Sequence, residues 1–286
     1  MTLSRFIRAH DAVLVTVSDA RGSTPREAGT TMAVSLDATH GTIGGGRLEH
    51  EAIEAARALL VSDAGPRDRH VLDRPLGPAL DQCCGGRVRL DLRRAGPRDV
   101  PWAERRERES AERAPPVYVF GSGHVGRALA TALAPLPLSV RVVDERREAL
   151  DGLPPRVRRI ATPLPESIVL EAPPGACFVV MTHSHALDFE IARAALARSD
   201  AAYVGMIGSA TKAAKFRSYA VREGMERDVA ERLACPMAPH ARRDKRPEVI
   251  ATFVAAEVLG AALRARGAGA VNDLPLAPAR PTPTSA

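Results

Sequence analysis

The feature that most restricts this chain is a glycine pattern set between two recognisable elements. Gly121-Ser-Gly-His-Val-Gly126 fits G-x-G-x-x-G. It follows an apolar strand-like run, Val117-Tyr-Val-Phe120, and opens a helical stretch from Val125 to Leu133. Asp144 stands 23 residues after Gly121, at the end of the next strand-like run, Ser139 to Val143. A ribose-binding acid is expected at about that separation. Gly121 permits the tight turn, Gly123 lets a phosphate approach the backbone, and Gly126 lets the helix pack on the strand. The free N–H groups of the helix start suit an anion. His124 is an addition that dinucleotide binding does not require. The pattern predicts a Rossmann-type unit, with NAD(P) as one ligand it would accept.

The rest of the second half fits that unit. Strands are expected at 176–181 and 202–207, and helices at 189–198, 212–223, 227–233 and 247–266. Repeated strand–helix–strand order implies a parallel sheet covered on both faces. The fold class is α/β: a C-terminal Rossmann-like parallel-sheet domain with a smaller N-terminal α+β domain. The expected boundaries are 1–95 for the N-terminal domain and 96–116 for a charged connector rich in Arg, Glu and Pro. The Rossmann-like domain takes 117–266, and 267–286 reads as a disordered tail.

The first domain offers a short helix at 3–10, strands at 12–17, 30–35, 69–72 and 88–92, and a helix at 48–61. Three polar or Gly-rich loops separate them, and each carries an Arg near its end: Arg26, Arg47 and Arg87. Gly44-Gly45-Gly46-Arg47 also opens a helix, which favours an anion. Arg would grip phosphate or carboxylate with two hydrogen bonds. Gln82-Cys83-Cys84-Gly85-Gly86 is the third loop. Adjacent Cys do not readily form an ordinary structural disulfide, and Arg87 beside them favours thiolate. Cys83 and Cys84 are therefore candidates for a soft metal or a sulfur-bearing ligand.

Two further stretches lie at expected strand ends in the second half. In Thr182-His-Ser-His-Ala-Leu-Asp188, His183 and His185 point the same way if the segment is extended. They suit proton transfer, metal binding or an anion. In Gly205-Met-Ile-Gly-Ser-Ala-Thr-Lys212, Lys212 is placed to hold a phosphate at a helix start. The chain has 37 Arg, 3 Lys and a net charge of +6. That leaves nucleic acid, a membrane surface or an acidic small ligand open. Aromatics are only 3% and no nucleic-acid motif occurs, which sets nucleic acid aside. No apolar run approaches the roughly 20 residues of a membrane span. The first ten residues lack the apolar core of a secretory signal, and Cys83, Cys84, Cys177 and Cys235 do not form a disulfide framework. A cytoplasmic location is expected.

The motifs together resemble the XdhC/CoxI family of xanthine and carbon monoxide dehydrogenase maturation factors. The matching stretches are Gly22–Arg26, Gly41–Glu49, Gln82–Arg87, Val119–Gly126, Met181–Asp188 and Tyr203–Ser209, in the family's order. The resemblance implies a chaperone that binds the molybdenum cofactor rather than an enzyme that turns over. It would support the cofactor's sulfuration with a cysteine desulfurase and deliver it to the molybdenum subunit of apo-xanthine dehydrogenase. A homo-oligomer is expected. One departure stands out: after Cys235-Pro236 the chain reads Met237-Ala-Pro-His-Ala-Arg-Arg-Asp244, where the family has a Gly-containing stretch. The competing reading is an NAD(P)-dependent oxidoreductase with His183, His185 or Asp188 as acid or base.

Overall fold

The computed structural model describes residues 1–62, 69–76, 85–239 and 244–267. They form two compact units, dividing after Ser110.

The first unit is an antiparallel five-stranded sheet in the order β3-β2-β1-β5-β4. Its strands are β1 (Val13–Arg21), β2 (Thr31–Val34), β3 (Thr39–His40), β4 (Arg69–Pro75) and β5 (Arg87–Arg94). Strand alternation explains its two cores. Val13, Val15 and Val17 of β1 and Val88, Leu90 and Leu92 of β5 point to one face. There they meet helix α2 (Gly46–Val61), which buries Leu48, Ala52, Ala56 and Leu60, four residues apart. Leu14 and Ala33 point the other way, onto Phe6 of α1 (Leu3–Ala9) and Trp102 of α3 (Asp99–Arg113). The expected connector is thus mostly helix. Its start is fixed by Asp99, whose carboxylate takes both guanidinium nitrogens of Arg93 (2.8 and 2.6 Å) and the Gly96 amide (2.6 Å).

The second unit is a parallel sheet in the order β10-β9-β6-β7-β8. The strands are β6 (Pro116–Phe120), β7 (Ser139–Asp144), β8 (Arg158–Ala161), β9 (Cys177–Val180) and β10 (Tyr203–Met206). The chain runs outward from β6 to β8, then returns to β9 on the other side. The strand order therefore reverses between β6 and β9, where doubly wound folds place their ligands. Apolar clusters cover both faces. One includes α4 (His124–Leu133) and α9 (Pro247–Gly267), and the other includes α6 (His185–Ala197), α7 (Ala210–Arg222) and α8 (Arg227–Glu231). Strand β8, helix α5 (Ser167–Glu171) and the two-residue β3 were not expected from the sequence. β8 is an edge strand reading Arg-Arg-Ile-Ala with little burial, so it lacks the apolar run that marks a strand.

Candidate functional site

The Rossmann loop is built as its glycines require. Gly121 has φ +103°, and a Cβ there would stand 2.3 Å from the Met181 carbonyl oxygen. A Cβ on Gly126 would stand 2.0 Å from the Gly121 oxygen. Both glycines are therefore demanded by packing within the protein. Gly123 differs: a Cβ there meets nothing within 4 Å. It caps α4 without a side-chain hydrogen bond, so its backbone is open to a ligand. His124 beside it is exposed.

Asp144 occupies the expected position but is already engaged. Its Oδ2 accepts from the Ser122 amide at 2.8 Å, and its Oδ1 from the amide and Nε of Arg146 at 3.0 and 3.1 Å. Burial pushes this carboxyl up, but the Arg146 guanidinium and the two amides outweigh that and hold it below the ordinary Asp value. The crevice between Gly121, Asp144, Pro165, Thr182 and Leu187 encloses only about 10 Å³. Small-molecule sites usually run to about 300–1,000 Å³. Asp144 binds the Ser122 and Arg146 amides where a ribose hydroxyl was expected.

The neighbouring strand ends are closed in the same manner. Asp188 is 1% exposed. Its Oδ1 accepts from the Thr182 amide and hydroxyl, both at 2.8 Å, and its Oδ2 from Lys212 Nζ at 2.5 Å. Lys212 also donates to the Ile207 carbonyl at 3.0 Å. Lys212, expected at a phosphate, here has its ammonium in a buried ion pair that ties β9, α6, β10 and α7 together. The pairing of His183 with His185 in an extended segment is corrected. His183 lies in a bend, 3.9 Å from Glu145, whereas His185 opens α6 behind its cap Ser184. Cys177 is core, its thiol pushed up to about 12 by burial. Burial likewise raises Cys235, whose Sγ is 3.9 Å from the Ser209 oxygen.

In the first unit the three loops converge. A Cβ on Gly86 would lie 2.4 Å from the Arg21 oxygen and 2.5 Å from that of Ser23, which joins the third loop to the first. A Cβ on Gly44 would lie 2.5 Å from Pro25 Cβ and 3.6 Å from Arg26 Cγ, which joins the second loop to the first. Gly45 and Gly85 face open space. Arg26 is exposed and has no charged partner among the described residues. Arg47 lies 3.4 Å from Glu51, and Arg87 donates to Asp73 at 2.7 Å. Gln82, Cys83 and Cys84 lie outside the described residues.

The loop Gly44–Gly46 was expected to offer its amides to a ligand anion. The Gly45 amide goes to Glu49 instead, and the Gly44 amide donates to the Thr42 hydroxyl at 3.0 Å. Glu49 Oε2 accepts from the Thr42 hydroxyl at 2.5 Å and from the amides of Ile43 and Gly45, each at 3.0 Å. Burial pushes the Glu49 carboxyl up, yet these donors outweigh it and leave it below the ordinary Glu value. Glu49 was missed as a site residue. A Glu in the first helical turn after a Gly-rich loop is the signal that marks it. Among the described residues no group of three or more His, Cys, Asp or Glu is placed to hold a metal ion. Among the described residues no helix is long and apolar enough to cross a membrane.

A parallel sheet with its reversal at a Gly-rich turn, following an antiparallel unit with converging loops, defines a two-unit protein of the Rossmann class. Comparison with known proteins makes this specific. Residues 117–258 match the XdhC Rossmann domain, and residues 8–71 match the XdhC and CoxI family; the chain belongs to the XdhC and CoxI family. It is 27% identical over 251 residues to the uncharacterized protein YqeB of Escherichia coli K12. The match takes in 85% of this chain but 42% of YqeB, so the chain spans less than half the length of that relative. The fold is similar to the crystal structure of a xanthine dehydrogenase from Bacillus halodurans, with TM-score 0.71 and 16% identity. That likeness covers 93% of this chain and 97% of the other.

Proposed function

We propose that this protein is a maturation factor for a xanthine dehydrogenase. It binds the molybdenum cofactor as cargo, supports its sulfuration with a cysteine desulfurase, and delivers it to the apo-enzyme's molybdenum subunit. Family membership supports the maturation role, and the convergence of three loops in the first unit supports cargo binding there. The observation that carries the site is open backbone at Gly45 and Gly85, in loops that both pack on the loop bearing Arg26. A guanidinium suits the cofactor's phosphate, and bare glycine backbone lets a flat heterocycle come close. Cys83 and Cys84 follow Gln82 in the same loop and are the proposed contacts to molybdenum or its sulfur, since thiolates suit a soft site.

The test is cofactor content after purification from a host that makes the molybdenum cofactor. Wild type is expected to carry molybdenum and pterin together. Arg26→Ala, Cys83→Ala and Cys84→Ala are expected to carry less. Wild type with no pterin under reducing conditions defeats the reading. The competing oxidoreductase reading draws on the open backbone at Gly123. The closed crevice and the engaged Asp144 oppose it, and calorimetry with NAD(H) and NADP(H) is expected to give no binding at millimolar levels.

A further inference from the structure

Helices α6 and α7 leave between them a trough of about 610 Å³. On the α7 side Thr211, Lys215, Ser218 and Arg222 follow one another at steps of four, three and four residues. That spacing makes a single stripe about 16 Å long. The centre is aromatic. Phe189 of α6 and Tyr219 of α7 line the trough half-buried, with ring centroids 5.4 Å apart. Phe216 backs them from the core, 5.4 Å from Phe189 and edge-on to it.

The charges along the trough are unequally matched. Its carboxylate, Glu190, accepts from the Tyr219 hydroxyl at 2.5 Å through Oε1, and its Oε2 lies 3.6 Å from Arg193. Lys215 is exposed and has no charged partner among the described residues. The Arg222 guanidinium lies 5.9 Å from the Tyr219 ring centroid, and its Nε is 3.9 Å from Glu223, with both side chains well exposed. An exposed ion pair of that length is weak. The trough therefore offers an aromatic centre beneath a positive rim. Both walls are helix interior, so their backbone groups are paired within α6 and α7. An extended strand finds no edge to bond there, whereas a helix satisfies its own backbone.

We propose that this trough docks an acidic amphipathic helix of a partner protein. An apolar side chain of that helix rests on Phe189 and Tyr219. Two carboxylates about two turns apart reach Lys215 and Arg222, which are themselves seven residues apart on α7. Ala214 and Ser218, small and exposed between the cations, let the helix axes come close. The site lies wholly in the second unit and draws nothing from the cargo reading, so the two stand or fall separately.

The test begins with a displayed library of helical peptides of about 15 residues, randomised along one face and selected against the full chain. Peptides with an apolar residue flanked by Asp or Glu two turns apart are expected to be enriched. Fluorescence anisotropy of the leading peptide at low salt then measures affinity. Lys215→Glu and Arg222→Glu are each expected to weaken it about fivefold or more, the upper end for an exposed ion pair. A peptide carrying Lys in place of the matching acid is expected to recover the loss in Lys215→Glu, which a merely damaged surface would not allow. Ala214→Trp fills the trough from an exposed position and is expected to abolish binding with an unchanged thermal melt. If that melt falls, the Lys215→Glu loss and its rescue decide. No enrichment, enrichment of basic or uncharged faces, or undiminished binding by the charge variants overturns the proposal. So does a wild-type dimer in sedimentation that Ala214→Trp dissociates, since a second copy would then be the occupant.

Discussion

At the scale of single residues, the glycines of the Rossmann loop divide by what they face. Gly126 and Gly121 face backbone oxygens at 2.0 and 2.3 Å from an added Cβ, whereas Gly123 faces nothing within 4 Å. Gly126→Ala is expected to cost about 3 kcal/mol through overpacking, and Gly121→Ala adds strain from its positive φ. Gly123→Ala is expected to cost less than about 1 kcal/mol. Urea midpoints of the three variants check the order; equal losses would refute it. Asp144 supplies a pH prediction. Its folded value lies below the ordinary one, so its contribution is present above the unfolded Asp value of about 3.9. It is lost as pH falls through the folded value. The stability gap between wild type and Asp144→Asn is therefore expected to narrow as pH drops below about 4. A gap that stays constant through that range in chemical denaturation refutes the assignment.

At the scale of elements, four segments of the second unit meet at one buried ion pair. Lys212→Met leaves the Asp188 carboxylate buried without its cation, which is expected to cost about 3–5 kcal/mol. Adding Asp188→Asn is expected to recover part of that loss. A double-mutant cycle measures the coupling, and strictly additive losses would mean that the pair is not coupled. Most of the elements involved were legible in the sequence. β6, β9 and β10 are apolar runs, and α6 and α7 follow turns at the expected places. The ion pair was not legible, because Asp188 and Lys212 are 24 residues apart on different helices and nothing in local spacing says that they meet. The same limit applied to the first unit. The three loops were visible as Gly-rich punctuation, but that Pro25 packs on Gly44, and Ser23 on Gly86, is a fact of sheet order. β8 and β3 escaped because an exposed Arg-rich edge and a two-residue strand carry no apolar period. In the sequence a charge at a helix start such as Lys212 looks the same whether it faces a ligand or a buried carboxylate.

At the scale of the molecule, each unit has its own cores: two clusters lie within residues 1–110 and two within residues 111–267. A chain of residues 111–286 is expected to fold alone, with mixed helix and strand by circular dichroism and a cooperative urea transition. A broad, non-cooperative transition would show that the parallel sheet needs the first unit. The lysine shortage has a practical consequence at this scale. Of three lysines among 286 residues, Lys212 is sealed on Asp188 with its side chain 10% exposed. Only Lys215, Lys245 and the terminal amine remain open to acylating reagents. Lys215 lies beside Phe189 and Tyr219 on the surface of α6 and α7. Amine-directed dyes and cross-linkers would therefore mark this protein at two side chains, both in the second unit, and leave the three-loop site of the first unlabelled for ligand titration.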